Sequence, residues 1–396
     1  MAKSKAINIG LIGHAFMGRA HSNAWTQVQR FFSPAATPIM HTVCGRNVEA
    51  TREFAAKWGW RNTESDYRKL AADPQIDLVD ITAQNHMHPE MAIAALEAGK
   101  HVSCEKPLAR TLDEARPMLA AARKAKGKTF VWYNYRRTPA VSLAYQLARE
   151  GRLGEIRHIR GFYLQDWATP EIPLAWRFDK KIAGSGSHGD LCAHVIDMCR
   201  FVSGLEITEI DGAIFETFIK ERPIQEGDVA GGLSEGLKGG SRKGKVTVDD
   251  AVAFLCRFEG GAIGQFEATR MATGNQNKVG FEINGSAGAL RFNFERMNEL
   301  EYYDRNLPRK VQGWQTIIVT HGADHPYAGA WWPDAHVIGY EHSFTNQAFD
   351  TLAVLGGAKP VVPLPDFNDA YQTQRVLEAA AISARERAIV KMSQVK

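Results

Sequence analysis

Over the first 135 residues, short apolar runs alternate with stretches that space their apolar side chains as a helix does. The runs, rich in β-branched residues, lie at 7–12, 39–44, 78–81, 101–104 and 129–133. Between them, stretches such as 89–98 and 111–126 mix alanine with charge. Uniformly apolar strands separated by helices predict a parallel sheet covered on both faces and closed by right-handed crossovers, a doubly wound α/β layer. After residues 140–151 the pattern changes. Alternating segments follow at 156–166, 209–218, 252–258, 262–268, 279–283 and 290–294. Glu259-Gly260-Gly261 and Asn284-Gly285 divide neighbouring segments as hairpin turns do. This second pattern predicts an α+β domain with a large, mainly antiparallel open sheet, solvated on one face. Helices are expected at 190–202, 340–355 and 368–387. The stretch 226–245, rich in glycine and charge and without apolar period, reads as a mobile loop. The division that results is 1–135 and 136–396.

Composition narrows the function classes. A chain of 396 residues exceeds what one core usually supports, in line with two domains. The formal net charge of +4 comes from 48 basic and 44 acidic residues that are interspersed, so the basic stripe of a nucleic-acid binder is missing. The run after MAKSKA is too short for a signal peptide, and no stretch reaches the roughly 18 apolar residues of a membrane span. Five cysteines, an odd number without C-x-x-C spacing, point to reduced thiols and a cytoplasmic protein. The histidine pairs His86/His88 and His321/His325 lack any ligand pattern, so no metal is expected.

The first chemical signal follows the first strand: Gly13-His14-Ala15-Phe16-Met17-Gly18, then a helix carrying Ala20, Trp25 and Val28. It resembles the dinucleotide fingerprint G-x-G-x-x-G with Ala15 in place of the middle glycine. The first glycine permits the turn, the last lets helix and strand approach, and pyrophosphate sits at the helix N-terminus. An ordinary tight turn is the alternative. The second strand ends Val43-Cys44-Gly45-Arg46-Asn47 without the acid that commonly holds the adenosine ribose. Arg46 could receive a 2′-phosphate instead, so both NAD and NADP stay open, as does a solvent-facing arginine.

Two further clusters carry chemistry. Glu105-Lys106-Pro107 follows the fourth apolar run, at the edge where open α/β sheets bind ligands. A lysine there could stabilise a developing alkoxide, and the proline accepts a cis bond at little cost; a solvated lysine is the plain alternative. Around 184–197 a glycine-rich turn leads to Asp190, His194 and Asp197, spaced for one helical face. A histidine beside a carboxylate suits proton abstraction from an alcohol near neutral pH. Alternatively, Ser187 and Asp190 form an S-x-x-D helix start, with His194 and Asp197 as an internal pair.

Taken together, residues 10–18, Asn85-His86-Met87-His88, Glu105-Lys106-Pro107, Asn134-Tyr135-Arg136-Arg137 and Asp190-x-x-x-His194 resemble the glucose–fructose oxidoreductase/inositol dehydrogenase/MocA (Gfo/Idh/MocA) family over essentially the whole chain. The resemblance implies an N-terminal Rossmann domain and a C-terminal domain whose open sheet mediates oligomers, a homodimer or homotetramer. It implies Lys106, Asp190 and His194 as the catalytic triad, with His194 as proton acceptor. It also implies Gly13, Phe16, Met17, Gly18, Asn85, His88, Glu105 and Asn134 around the dinucleotide; Ala15, Gly45 and Arg46 depart from the commonest pattern. Within the family, residues 134–140, Tyr163-Leu164-Gln165-Asp166-Trp167, Trp176-Arg177-Phe178, His325-Pro326-Tyr327 and Trp332-Pro333 are similar to the branch of levoglucosan dehydrogenase and related glycoside 3-dehydrogenases. These segments suit a carbohydrate pocket: Trp167 and Trp176 could stack on pyranose faces while Tyr135, Gln165, Asp166 and Arg177 meet hydroxyls. Core placement of the two tryptophans is the alternative.

The reading is an NAD(P)-dependent oxidation of a secondary hydroxyl, at C3, of a pyranose, glycoside or anhydrosugar. Its rivals are a glycosidase that oxidises transiently, eliminates and re-reduces; an inositol or other polyol dehydrogenase; and a non-catalytic nucleotide-binding sensor.

Overall fold

Six short strands, most of them apolar on both faces, assemble the first sheet. In the computed structural model, which describes residues 5–225 and 239–396, they are β1 (Lys5–Ile12), β2 (Ala36–Cys44), β3 (Asn62–Glu64), β4 (Leu78–Ile81), β5 (His101–Cys104) and β6 (Thr129–Val131). All pair in parallel in the order β3-β2-β1-β4-β5-β6. The order reverses between β1 and β4, which opens a crevice at the carboxyl ends of those strands. The connecting helices are α1 (Phe16–Phe31), α2 (Val48–Trp58), α3 (Tyr67–Ala72), α4 (His88–Glu97) and α5 (Leu112–Lys124). Strand β3 was not foreseen, because Asn62-Thr63-Glu64 is polar and its first two residues are exposed.

This sheet belongs to a unit made of Met1–Arg137 together with Gly339–Tyr371. The returning segment is bound to it by packing and by polar anchors. Phe344, Ala348 and Leu352 of the helix Tyr340–Leu355 share one core with Trp25, Val28 and Trp132. Asn346 Nδ2 donates to Arg137 O at 2.9 Å and Gln347 Nε2 to Val131 O at 2.8 Å. The Arg137 guanidinium, fully buried, pairs with the equally buried Asp350 at 3.3 Å.

The second unit is Thr138–Ile338 with Gln372–Lys396. It contains α6 (Pro139–Arg149), β7 (Ile156–Leu164), α7 (Lys180–Ala183), α8 (Ala193–Ser203), β8 (Ile207–Glu216), β9 (Glu221–Gln225), β10 (Gly239–Lys245), β11 (Ala251–Phe258), β12 (Ile263–Thr269), β13 (Lys278–Gly285), β14 (Gly288–Asn293), β15 (Glu299–Asp304), β16 (Trp314–Ile318) and β17 (Val390–Lys391). Nine of these strands form one sheet in the order β16-β15-β14-β13-β7-β12-β11-β8-β17. Its pairs are antiparallel except β7 with β12. Alternation decides the faces: in β11, Val252, Phe254, Cys256 and Phe258 point inward while Ala253, Leu255 and Arg257 are exposed. Helix α8 covers the inner face against β7 and β13 and is buried along its length. The final helix, Phe367–Glu386, runs from one unit into the other. Of the stretch read as a loop, Gly239–Lys245 is a strand paired with β9. Backbone pairing needs no apolar period, and β10 is mostly exposed, so this pairing leaves no signal in hydropathy. Residues 226–238 lie outside the described residues.

Candidate active site

In the first unit the turn after β1 is built for a nucleotide. Gly13 has φ +99°, and a Cβ there would stand 3.0 Å from the Thr82 carbonyl oxygen. Gly18 packs so closely on the turn that its Cβ would lie 2.4 Å from Gly13 O. Thr82 Oγ1 lies 2.9 Å from both Ile12 O and Gly13 O and fixes the crossing. Ala15 sits at the N-cap with no side-chain cap, and Phe16 and Met17 open α1 without an acid in the first turn. The uncapped amides and the helix dipole favour a phosphate here, and side chains at 13 and 18 would fill the turn, so these residues fit a dinucleotide. At the end of β2, the Gly45 amide donates to Glu64 O at 3.0 Å, Arg46 is exposed, and Asn47 caps α2 through the Ala50 amide.

Asn85 opens a single turn after β4 and is half-buried. His88, expected near the dinucleotide, is buried, with Nδ1 3.0 Å from Pro107 O and Nε2 3.1 Å from Ala83 O. Either tautomer donates to the backbone, and burial lowers its pKa against those carbonyls. It clasps the loop after β4 to the loop after β5. Asn134 is also turned to the protein, donating to Ser343 Oγ at 2.9 Å, and Tyr135 is buried beside it in the same turn.

Lys106 is half-buried at the end of β5, and its bond to Pro107 is cis. The carboxylate before it points inward. Glu105 Oε1 lies 3.0 Å from His21 Nε2, and Glu105 Oε2 accepts the Lys106 amide at 3.0 Å. The other face of the ring, His21 Nδ1, meets Asp80 at 3.0 Å; Trp25 Nε1 and Trp132 Nε1 donate to the same aspartate at 2.8 and 2.9 Å. An imidazole with a carboxylate on each nitrogen needs both protons. Burial alone would lower the His21 pKa, but the Asp80 charge and the hydrogen bonds to Asp80 and Glu105 overcome it and push the value up to about 9. Lys106 thus follows a strand end locked by a buried histidinium.

In the second unit, the glycine-rich turn before α8 is capped by Asp249. It accepts Gly186 N (2.7 Å), Ser187 Oγ (2.8 Å) and His188 N (2.8 Å). The S-x-x-D start read from Ser187 and Asp190 is therefore not what begins this helix. Residues His188–Cys192 form a wide π turn. His194 and Asp197 share α8 behind it, both buried, while Asp190 lies in the turn itself rather than on the same α-helical face. The Asp190 carboxylate meets Arg270 Nη2 at 2.7 Å, and the His194 ring lies 6.0 Å from that of Tyr163.

The residues expected to meet a sugar divide into two kinds. Trp167 is half-buried, packs partly on a small core with Phe178, and donates to Gln165 Oε1 at 2.8 Å; Gln165 Nε2 in turn donates to Asn277 at 2.7 Å. Arg177 lays its guanidinium over the half-buried Trp176 ring at 4.4 Å. Asp166 accepts the Gly274 amide at 3.0 Å and so shapes a turn. Sequence reasoning missed Arg270, His21 and Asp80. Arg270 has no local signal, its partners being 80 or more residues away. Asp80 did leave one: an acid inside the apolar run Leu78–Ile81 cannot be buried without a partner.

Residues 7–134 match a family model described as an oxidoreductase family with an NAD-binding Rossmann fold, and residues 141–291 match the GFO/IDH/MocA C-terminal domain. Over 392 residues the chain is 43% identical to levoglucosan dehydrogenase of Pseudarthrobacter phenanthrenivorans, covering 98% of this chain and 99% of that one. The chain belongs to the Gfo/Idh/MocA oxidoreductase family. Among solved structures, an oxidoreductase domain protein from Kribbella flavida superposes with TM-score 0.91 at 46% identity, covering 98% of this chain and 99% of that one. A levoglucosan dehydrogenase in complex with NADH and levoglucosan gives TM-score 0.89 at 41% identity over the same shares. As a Gfo/Idh/MocA protein, the chain is an NAD-dependent oxidoreductase with both domains of the family present. Among the described residues, no helix is long and apolar enough to cross a membrane.

Proposed function

We propose that this Gfo/Idh/MocA enzyme oxidises a secondary ring hydroxyl, at C3, of a pyranose, glycoside or anhydrosugar to the ketone. What supports this most is the near-full-length similarity to levoglucosan dehydrogenase, a relative that by its name acts on an anhydrosugar. When bound, NAD supplies the hydride acceptor. The residues of the chain manage the proton and the charge. His194 Nε2 or Nδ1 takes the hydroxyl proton from a nearly water-free position on α8. Asp190, held in place by Arg270, is assigned to orient His194. The Lys106 ammonium supports the alkoxide as the carbon–hydrogen bond breaks. Gln165, Trp167 and Arg177, with Tyr135, are assigned to the sugar, and Arg46 leaves NADP open as a second cofactor.

The test is a panel of levoglucosan, pyranosides and myo-inositol, each with NAD and NADP, followed by the absorbance of the reduced nicotinamide. Net reduction with a 3-keto product is the expected result. Hydrolysed glycoside without net reduction would replace the dehydrogenase by the glycosidase reading. Lys106→Ala should lower kcat by about 10²–10³-fold while NADH affinity changes only a few-fold; unchanged turnover removes Lys106 from the mechanism. We also propose a cytoplasmic homodimer or homotetramer. The register of β8, β11 and β12 sets Ile214, Leu255 and Ile263 on one exposed face of the sheet, an apolar patch suited to a second copy.

A further inference from the structure

We propose that Arg270 is a positioning residue that ties the segments assigned to the sugar to the Asp190 carboxylate, through one buried guanidinium. The proposal rests on the assignment of Asp190 to the reaction and of Trp167 and Arg177 to the sugar. Arg270 is the first residue after β12, and its side chain is 1% exposed. A buried cation needs an anion, and Asp190 provides it at 2.7 Å. The same Nη2 donates to Gly186 O at 3.2 Å, in the turn that precedes Asp190, and Nη1 reaches Arg177 O at 3.4 Å. The guanidinium carbon stands 5.5 Å from the Trp167 ring centre and 6.0 Å from that of Phe178. The backbone joins in, since the Ala168 amide donates to Arg270 O at 3.2 Å.

Three neighbouring segments, the stretch after β7, the turn around Trp176–Phe178 and the glycine-rich turn, therefore converge with the distant end of β12 on one planar fork. Only a guanidinium offers donors in several fixed directions at once. The arrangement leaves Asp190 27% exposed, so the carboxylate is aimed by Arg270 without being sealed by it. A shift of Trp167 or of the Arg177 backbone is transmitted to Asp190, and the reverse. Sugar recognition and alignment of the carboxylate share one fulcrum.

The experiment compares Arg270→Gln, Arg270→Lys and Asp190→Asn, with levoglucosan and NAD as substrates. Arg270→Gln is expected to lower kcat on the order of 10²-fold, the cost of a misplacement near 1 Å, and to raise KM about tenfold, with NADH affinity by protein fluorescence kept within about threefold. Arg270→Lys recovers part of kcat, because an ammonium can still pair with Asp190. It keeps KM raised, because it cannot also hold the Gly186 and Arg177 carbonyls. Asp190→Asn lowers kcat with little effect on KM. Arginine variants with wild-type kcat and KM per folded molecule, beside an impaired Asp190→Asn, overturn the positioning role and leave Asp190 in the reaction. An unimpaired Asp190→Asn removes Asp190 from the chemistry and the proposal with it. Should the glutamine variant not fold, the lysine variant decides by whether KM rises.

Discussion

In the nucleotide-binding unit, Asp80 and Glu105 are buried with a single imidazole between them; in the other unit, Asp190 stays partly exposed against one buried arginine. Both clusters place a cation beside an acid, yet they differ in where the spare hydrogen-bonding capacity points. Asp80 gives its oxygens to His21 and two indoles, and Glu105 closes on His21 and the Lys106 amide. Nothing in that network faces outward, so it holds a strand end in place. Arg270 is the buried partner on the other side, and the acid is the group presented. The first cluster is a foundation; the second presents the carboxylate that we propose acts in the reaction.

The largest test of that contrast sets Asp80→Ala against Asp190→Asn. Removing Asp80 leaves the buried His21 with one carboxylate instead of two and strands two indole N–H groups, and about 3–5 kcal/mol of stability should be lost. Asp190→Asn also takes an anion from a buried guanidinium, but it keeps an oxygen for Arg270 at a position open to water, so the loss should be smaller, about 1–2 kcal/mol, with the larger effect on turnover. Equal losses in thermal or denaturant unfolding would erase the distinction. A finer test uses pH. The folded pKa of His21, about 9, stands above its ordinary 6.5. Its stabilisation is therefore fully present below pH 6.5 and is lost as pH rises through 9. Between about pH 7 and about pH 9.5, the stability gap between wild type and His21→Gln should narrow; a constant gap would mean that His21 is uncharged in the folded protein. The smallest expected effect is at the exposed Arg46. Arg46→Ala should raise KM for NADP about fivefold, the scale of an exposed ion pair, and leave that for NAD nearly unchanged.

Much of this molecule is legible in its sequence. Period-two alternation located β7, β8 and β11 to β14, and uniformly apolar runs located five strands of the first sheet. Lys106, Asp190 and His194 stand out because their neighbours form recognisable clusters. Other elements carry no such mark. Strand β15, Glu-Leu-Glu-Tyr-Tyr-Asp, hides its two inward positions, Leu300 and Tyr302, among acids. The parallel pairing of β7 with β12 joins segments about a hundred residues apart, and no local turn predicts it. The return of Gly339–Tyr371 to the first unit is equally silent, since a helix that seals one core reads like a helix that seals another. Arg270 belongs with these cases. Its importance lies in what surrounds it, and side-chain surroundings are a tertiary fact.

That returning helix bears on how the protein is made. When a ribosome has released the first 338 residues, all six strands of the nucleotide unit exist, but Phe344, Gln347 and Asp350 do not yet cover Trp25, Val131 and Arg137. The amino-terminal half therefore cannot mature first, as domains usually do during synthesis. It must wait, with its apolar flank uncovered, until Gly339–Tyr371 has emerged.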